Sequence, residues 1–119
     1  MKVSIPVMDR EGMSANVSAH FGKAPVYAIV DMESGDLKFI DNTSEHMGGK
    51  GLPPELLAGA GVNIMLCSGL GPKAVDVFGS LGIQVFVGAT GTVQKTLETW
   101  QQGKLSSASH LNACTEHRH

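Results

Sequence analysis

Two apolar runs in the sequence each lead directly into a glycine-containing loop that precedes a helix-like segment. They are residues 62–67 and residues 83–87. In open α/β sheets, ligands bind outside the carboxyl ends of such strands, because glycines allow close approach of the backbone and the next helix offers unpaired N–H groups. The pattern occurs twice, which favours an anion cradle over two simple tight turns. The candidate cradle residues are Gly69, Gly71, Gly88, Thr90, Gly91 and Thr92.

A histidine motif lies just before the second expected strand. His20 precedes Phe21 and Gly22, and the polar residues 8–19 form a long loop ahead of it. Imidazole is a common metal ligand, although a single histidine is more often packed or solvated. The ligand interpretation gains weight if residues 8–19 fold over the same end of the sheet as the glycine loops. Cys67 ends a buried run beside the first glycine loop and is a second possible ligand, although most such cysteines only pack.

The C-terminal residues carry further potential metal ligands. Cys114, His117 and His119 are soft or borderline donors within a few residues, and His110 could be a fourth. Such a set could bind zinc, nickel, copper or an iron–sulfur species, but the spacing is not a complete zinc pattern. A flexible polar end without metal is the alternative, and we slightly favour it.

The composition limits the classes of protein to which the chain can belong. The 119 residues are 42% hydrophobic, which suits one packed domain, and the formal net charge of -2 comes with no basic run. These values argue against a duplex nucleic acid partner. No segment approaches the ~20 apolar residues of a membrane span, and the N-terminus does not resemble a signal peptide. We therefore expect a cytoplasmic protein with reduced cysteines and no membrane partner.

The hydrophobic pattern predicts a single α/β domain. We expect helices to begin near Pro53, Pro72 and Val93, and strands at residues 2–7, 26–32, 37–40, 62–67 and 83–87. An antiparallel meander followed by two right-handed crossovers gives a ribonuclease-H-like mixed sheet of about five strands, flanked by three helices. The domain is expected to cover residues 1–105, with a flexible, polar, Cys/His-containing tail at residues 106–119.

The ordered set of motifs resembles the dinitrogenase iron–molybdenum cofactor biosynthesis family, which includes NifX, NifY and the C-terminal domain of NifB. The residues that carry this resemblance are His20-Phe21-Gly22-Lys23-Ala24-Pro25, Gly48-Gly49-Lys50-Gly51, Gly69-Leu70-Gly71 and Gly88-Ala89-Thr90-Gly91-Thr92-Val93. It implies a small NifX-like protein with a ribonuclease-H-like fold and no nuclease activity. It also implies binding of iron–sulfur or molybdenum-containing clusters, with His20 as a cluster contact and the glycine loops, including Gly49, as the cradle. Phe21 and Gly22, beside His20, are further candidate contacts.

Three functions remain open on this reading. The leading one is a binding or carrier protein for a metal cluster or its precursor in cofactor assembly, with cluster donor and acceptor proteins as partners. The second is a sensor or adaptor that binds a phosphate-bearing small molecule, or a protein partner, through the same loops. The third is a hydrolase, which we rank last because its possible carboxylates, Asp9, Asp31, Asp41 and Asp76, are too scattered for a two-metal centre. We predict no catalytic residues and leave the oligomeric state open.

Overall fold

The computed structural model describes residues 1–42 and 53–108. Six strands form one sheet: β1 Lys2–Val7, β2 Val26–Asp31, β3 Leu37–Asp41, β4 Ile64–Cys67, β5 Gln84–Val87 and β6 Ser106–Ser107. Three helices connect them: α1 Pro53–Gly59, α2 Pro72–Ser80 and α3 Val93–Gln101. None of the helices in these residues is long and apolar enough to span a bilayer.

The strand order is β3-β2-β1-β4-β5-β6. The first three strands form an antiparallel meander, in which Val7 lies opposite Val26 and Val26 lies opposite Asp41. Strands β1, β4 and β5 run parallel, and β6 returns antiparallel beside β5. The predicted mixed sheet with three flanking helices is therefore confirmed.

Two apolar cores lie on opposite faces of the sheet. Helix α3 covers one face, where Val93 and Leu97 belong to the same cluster as alternate residues of β1. Helices α1 and α2 cover the other face, where Leu57 and Phe78 pack with residues such as Met65. The central strands are buried on both faces, which explains why they read as nearly continuous apolar runs.

The helix ends follow from local chemistry. Pro72 occupies the first turn of α2, where its missing N–H costs nothing and its fixed φ is preorganised. Thr92 caps α3 by accepting a hydrogen bond from the N–H of Lys95 at 3.2 Å. Gly103 follows α3 with a positive φ of 75°, a backbone conformation that favours glycine.

The sheet has one strand more than the sequence predicts. Ser106 and Ser107 pair with Val87 and Phe86, so the sheet extends past Leu105, where we placed the end of the domain. Two serines carry no apolar alternation, so hydrophobic patterning could not predict this strand. The N–H of Ala108 also donates to the carbonyl of Val85 at 2.8 Å.

Candidate functional site

Three loops meet at the edge of the sheet where the parallel strands end. Because β1, β4 and β5 are parallel, Val7, Cys67 and Val87 lie at one edge, and each is followed by a loop. These loops are residues 8–25, 68–71 and 88–92. We call this edge the loop edge.

Hydrogen bonds join the first and third of these loops. The N–H of Val17 donates to the carbonyl of Gly91 at 2.8 Å, and the N–H of Val93 donates to the carbonyl of Ala15 at 3.0 Å. The first loop therefore folds over the same end of the sheet as the glycine loops, which was the condition we set for a ligand role of His20.

The second and third loops are also joined. The Ser68 hydroxyl donates to the carbonyl of Ala89 at 2.7 Å, and the N–H of Gly88 donates to the carbonyl of Ser68 at 3.2 Å. The two glycine-containing loops therefore form one continuous surface, as an anion cradle built from both would require.

His20 is exposed within a segment whose backbone is firmly held. The Ser18 hydroxyl donates to the carbonyl of His20 at 3.0 Å and accepts its N–H at 3.2 Å. The side-chain amide of Asn42 donates to the carbonyls of Gly22 and Ala24 at 3.0 and 2.9 Å. The imidazole is thus presented to solvent from a fixed backbone.

Phe21 lies in the core. Its ring is 8% exposed and packs against Tyr27 and Phe78, with centroid separations of 5.4 and 5.2 Å. The buried Tyr27 hydroxyl donates to the carbonyl of Phe21 at 3.1 Å, and burial raises the pKa of that hydroxyl. In this structure the ring of Phe21 therefore anchors the His20 segment to α2 and β2.

The glycines at the loop edge fall into two groups. A Cβ atom added at Gly22, Gly69 or Gly71 would meet no atom within 4 Å, so these positions border open space. Gly88 and Gly91 have positive φ values of 104° and 83°, which explains why glycine is needed there. Thr90 is exposed.

Cations surround the loop edge. Lys23 follows the His20 motif, Lys73 is the second residue of α2, and Lys95 is the third residue of α3; all three are exposed. Within residues 1–42 and 53–108, the ion pairs are those of the N-terminus with Glu33 and of Arg10 with Asp41, so none of the three lysines is paired there.

Cys67 is placed differently from His20. Its side chain is 1% exposed and belongs to the core beneath α2. Burial raises the pKa of the thiol to about 12, and the N–H of Gly69, a hydrogen-bond donor to the sulfur, opposes this shift only in part. The thiol is therefore protonated at neutral pH in the metal-free protein, and a metal bound there would have to displace its proton.

The structure brings few metal-ligating side chains close together in the part of the chain that it describes. Among the described residues, no three His, Cys, Asp or Glu side chains lie close enough to hold one metal ion. Asp31 and Asp41 end β2 and β3, which run antiparallel, so these carboxylates lie at opposite ends of the hairpin. The remaining predicted site residues, Gly49, Cys114, His117 and His119, and the possible donor His110, lie outside the described residues.

Several residues that shape the loop edge have no sequence signal of their own. Tyr27, Asn42, Ser68 and Thr96 each donate a side-chain hydrogen bond to a loop carbonyl. Only Ser18 has a local pattern, since it lies two residues from His20 and forms a short side-chain-to-backbone turn. The loop edge offers loop N–H donors and the three exposed lysines for an anion, together with one exposed imidazole, while Asp9 and Glu11 in the first loop carry negative charge.

Comparisons with known proteins agree with this architecture. The family described as "Dinitrogenase iron-molybdenum cofactor" matches residues 1–103. An uncharacterised protein of Methanocaldococcus jannaschii is 34% identical over 110 residues, covering 88% of this chain and 89% of its own length. A Thermotoga protein described as a candidate NifB protein is 29% identical with a TM-score of 0.75, over 89% of this chain and 91% of that chain.

The apo form of the orange protein of Desulfovibrio gigas shares the fold. Its TM-score is 0.80 at 22% identity, over 90% of this chain and 92% of that chain. The family match spans far more than half of the sequence and contains both glycine loops and the His20 motif. The chain therefore belongs to the dinitrogenase iron–molybdenum cofactor family.

Proposed function

We propose that this protein binds or carries an iron–sulfur or molybdenum–iron type cluster, or its precursor, during cofactor assembly. The cluster is cargo, received from a donor protein and delivered to an acceptor protein. It sits at the loop edge, where His20 ligates a metal and the loops carry the negative charge of the cluster. The remaining predicted contacts at the loop edge are Phe21, through its backbone, and Gly22, Gly69, Gly71, Gly88 and Thr90 to Thr92, while the predicted contact Gly49 lies outside the described residues.

One observation supports this proposal most directly. The same edge presents an exposed imidazole on a fixed backbone, and three lysines with no ion pair among the described residues lie in or just after its loops. Cations and hydrogen-bond donors would balance the negative charge of a bound cluster. Membership of the dinitrogenase iron–molybdenum cofactor family adds support for a role in cofactor assembly.

A second candidate function is binding of a phosphate-bearing small molecule at the loop edge. The described residues supply one exposed imidazole and no exposed thiol, because Cys67 is buried. Lysines and loop amides without a second soft ligand also suit phosphate oxygens. This alternative predicts stabilisation by phosphate compounds with no uptake of metal.

The deciding experiment is anaerobic reconstitution with iron, sulfide and molybdate, followed by visible absorption and metal analysis. The chains compared are the native protein, His20→Ala, Lys95→Ala and a chain ending after Ala108, which keeps β6 intact. Lys104→Ala is the matched control, because Lys104 follows the opposite end of α3 from Lys95.

We expect the native chain, Lys104→Ala and the shortened chain to take up a coloured cluster. His20→Ala should lose it, and Lys95→Ala should hold it more weakly. Loss in the shortened chain alone would move the ligands to Cys114, His117 and His119. If every chain stays colourless and free of metal, cluster binding is wrong and the phosphate alternative takes its place.

A further inference from the structure

The backbone carbonyls of the His20 segment are held by side chains from three parts of the fold. The carbonyl of His20 accepts from the Ser18 hydroxyl, and that of Phe21 accepts from the buried Tyr27 hydroxyl. The carbonyl of Gly22 accepts from the side-chain amide of Asn42. Three successive peptide groups therefore turn their oxygens towards the protein.

This arrangement decides where the next N–H groups point. No peptide bond of the described chain is cis, and in a planar trans peptide the C=O of one residue is antiparallel to the N–H of the next. Since the three oxygens face the protein, the N–H groups of Phe21, Gly22 and Lys23 point away from it. None of these N–H groups donates to any atom of residues 1–42 or 53–108.

The third loop repeats the arrangement with different residues. The carbonyl of Ala89 accepts from the Ser68 hydroxyl, that of Thr90 accepts from the Thr96 hydroxyl at 3.3 Å, and that of Gly91 accepts from the N–H of Val17. By the same geometry, the N–H groups of Thr90, Gly91 and Thr92 point away from these partners. They too donate to no atom of the described residues.

We propose that these two amide triplets, Phe21–Lys23 and Thr90–Thr92, are the anion-binding groups of the loop edge. The choice of anion rests on the proposed function. The anion is a tetrahedral thio- or oxoanion of molybdenum, or the face of a cluster whose acceptor atoms have the same spacing. Each N–H of a triplet can donate to one sulfur or oxygen atom of such an anion. Unpaired backbone N–H groups are strong donors that need a partner once solvent is displaced.

Tyr27 and Thr96 are, on this account, positioning residues that do not touch the ligand. Both are buried, at 0% and 1% exposure, and each fixes one peptide group of a triplet through a single hydroxyl. The N–H of Ala24 also donates to the carbonyl of Phe21 at 3.3 Å, so Tyr27 shares the holding of that carbonyl. Without the hydroxyl, the peptide group is held less firmly and its N–H faces the anion for less of the time. Removing one such hydrogen bond should weaken anion binding about three- to tenfold.

The test is an anaerobic titration of the ¹⁵N-labelled protein with tetrathiomolybdate, and separately with molybdate and phosphate, followed by amide chemical shifts. The variants are Tyr27→Phe and Thr96→Val, which delete one hydroxyl each and keep the shape of the side chain. Thr99→Val is the matched control, because the Thr99 hydroxyl donates to the carbonyl of Lys95 in the same helix at 2.8 Å, away from both triplets. Thermal denaturation of each variant identifies any that is not folded.

We expect the amides of both triplets to shift most in the native chain. Tyr27→Phe should weaken binding and reduce the shifts of Phe21–Lys23, Thr96→Val should do the same for Thr90–Thr92, and Thr99→Val should behave as the native chain. Shifts confined to other amides, or equal affinity in all variants that fold, would overturn the inference.

The proposed function and this inference can fail separately. If phosphate shifts both triplets while the thioanion and molybdate do not, the amide sites stand and the cluster function fails. If the native chain takes up a cluster with both triplets unshifted, the function stands and the amide sites are wrong.

Discussion

Replacing Phe21 by leucine tests whether its ring belongs to the core or to the ligand. The ring is 8% exposed, with centroids 5.4 Å from Tyr27 and 5.2 Å from Phe78. Aromatic pairs at such distances contribute about 0.5–1.5 kcal/mol each beyond the burial of area. Leucine keeps most of the buried apolar surface, so losing both pairs should lower the free energy of unfolding by about 1–3 kcal/mol.

Urea denaturation measures this change as a lower midpoint at constant slope. Phe39→Leu is the matched control, because Phe39 is only partly buried and forms no aromatic pair within the described residues. Its midpoint should fall by less than that of Phe21→Leu. The reasoning is refuted if Phe21→Leu unfolds at the native midpoint yet no longer takes up cluster, since the ring would then contact the ligand.

Three further predictions concern stability. The hydroxyl of Ser4 is fully buried without a hydrogen-bond partner in the described residues. Ser4→Ala should therefore raise the free energy of unfolding by about 1 kcal/mol. A free energy of unfolding in urea below that of the native chain would contradict this prediction. Gly88→Ala should lower the free energy of unfolding by about 1–2 kcal/mol, because the φ of Gly88 is 104°. Gly69 borders open space and has no positive φ, so Gly69→Ala should change the free energy of unfolding by less than about 0.5 kcal/mol. Equal losses of stability for the two variants in urea would refute the backbone argument. Burial raises the pKa of Cys67 from 9.0 to about 12, so the unfolded chain loses the thiol proton first, and stability should fall as pH rises from about 9 towards 12. The urea midpoint of Cys67→Ala should fall less over this range than that of the native chain, and the remaining fall comes in part from the buried Tyr27 hydroxyl, whose pKa is also raised. An equal fall in both proteins would count against the role of Cys67.

The positions of the helices and of five strands could be predicted from the sequence because their signals are local. Pro72 starts a helix through its own ring, and glycines such as Gly103 end one through their own φ. The apolar runs of β4 and β5 report burial on both faces of the sheet, which hydrophobic pattern alone can show. The strand Ser106–Ser107 could not be found this way, because its place depends only on hydrogen bonds to β5.

The candidate site could be predicted only as a set of loops. The role of Phe21 illustrates the limit, since a phenylalanine next to His20 and Gly22 reads equally well as a ligand contact or as a core residue. Its packing on Phe78 brings the loop before β2 against α2, a contact between distant parts of the sequence that only the tertiary structure establishes. The burial of Cys67 on the face of α2 likewise follows from the packed layers.

By itself the sequence determined the fold class, the glycine loops that follow the parallel strands, and the place of His20 after a long polar loop. Tertiary structure alone decided which loop carbonyls are held and therefore which loop N–H groups have no partner in the part of the chain that the structure describes. The hydrogen bonds of Asn42 to Gly22 and of Ser68 to Ala89 join residues 20 and 21 positions apart. Such bonds form only after the strands have taken their order, so no local pattern of residue types encodes them.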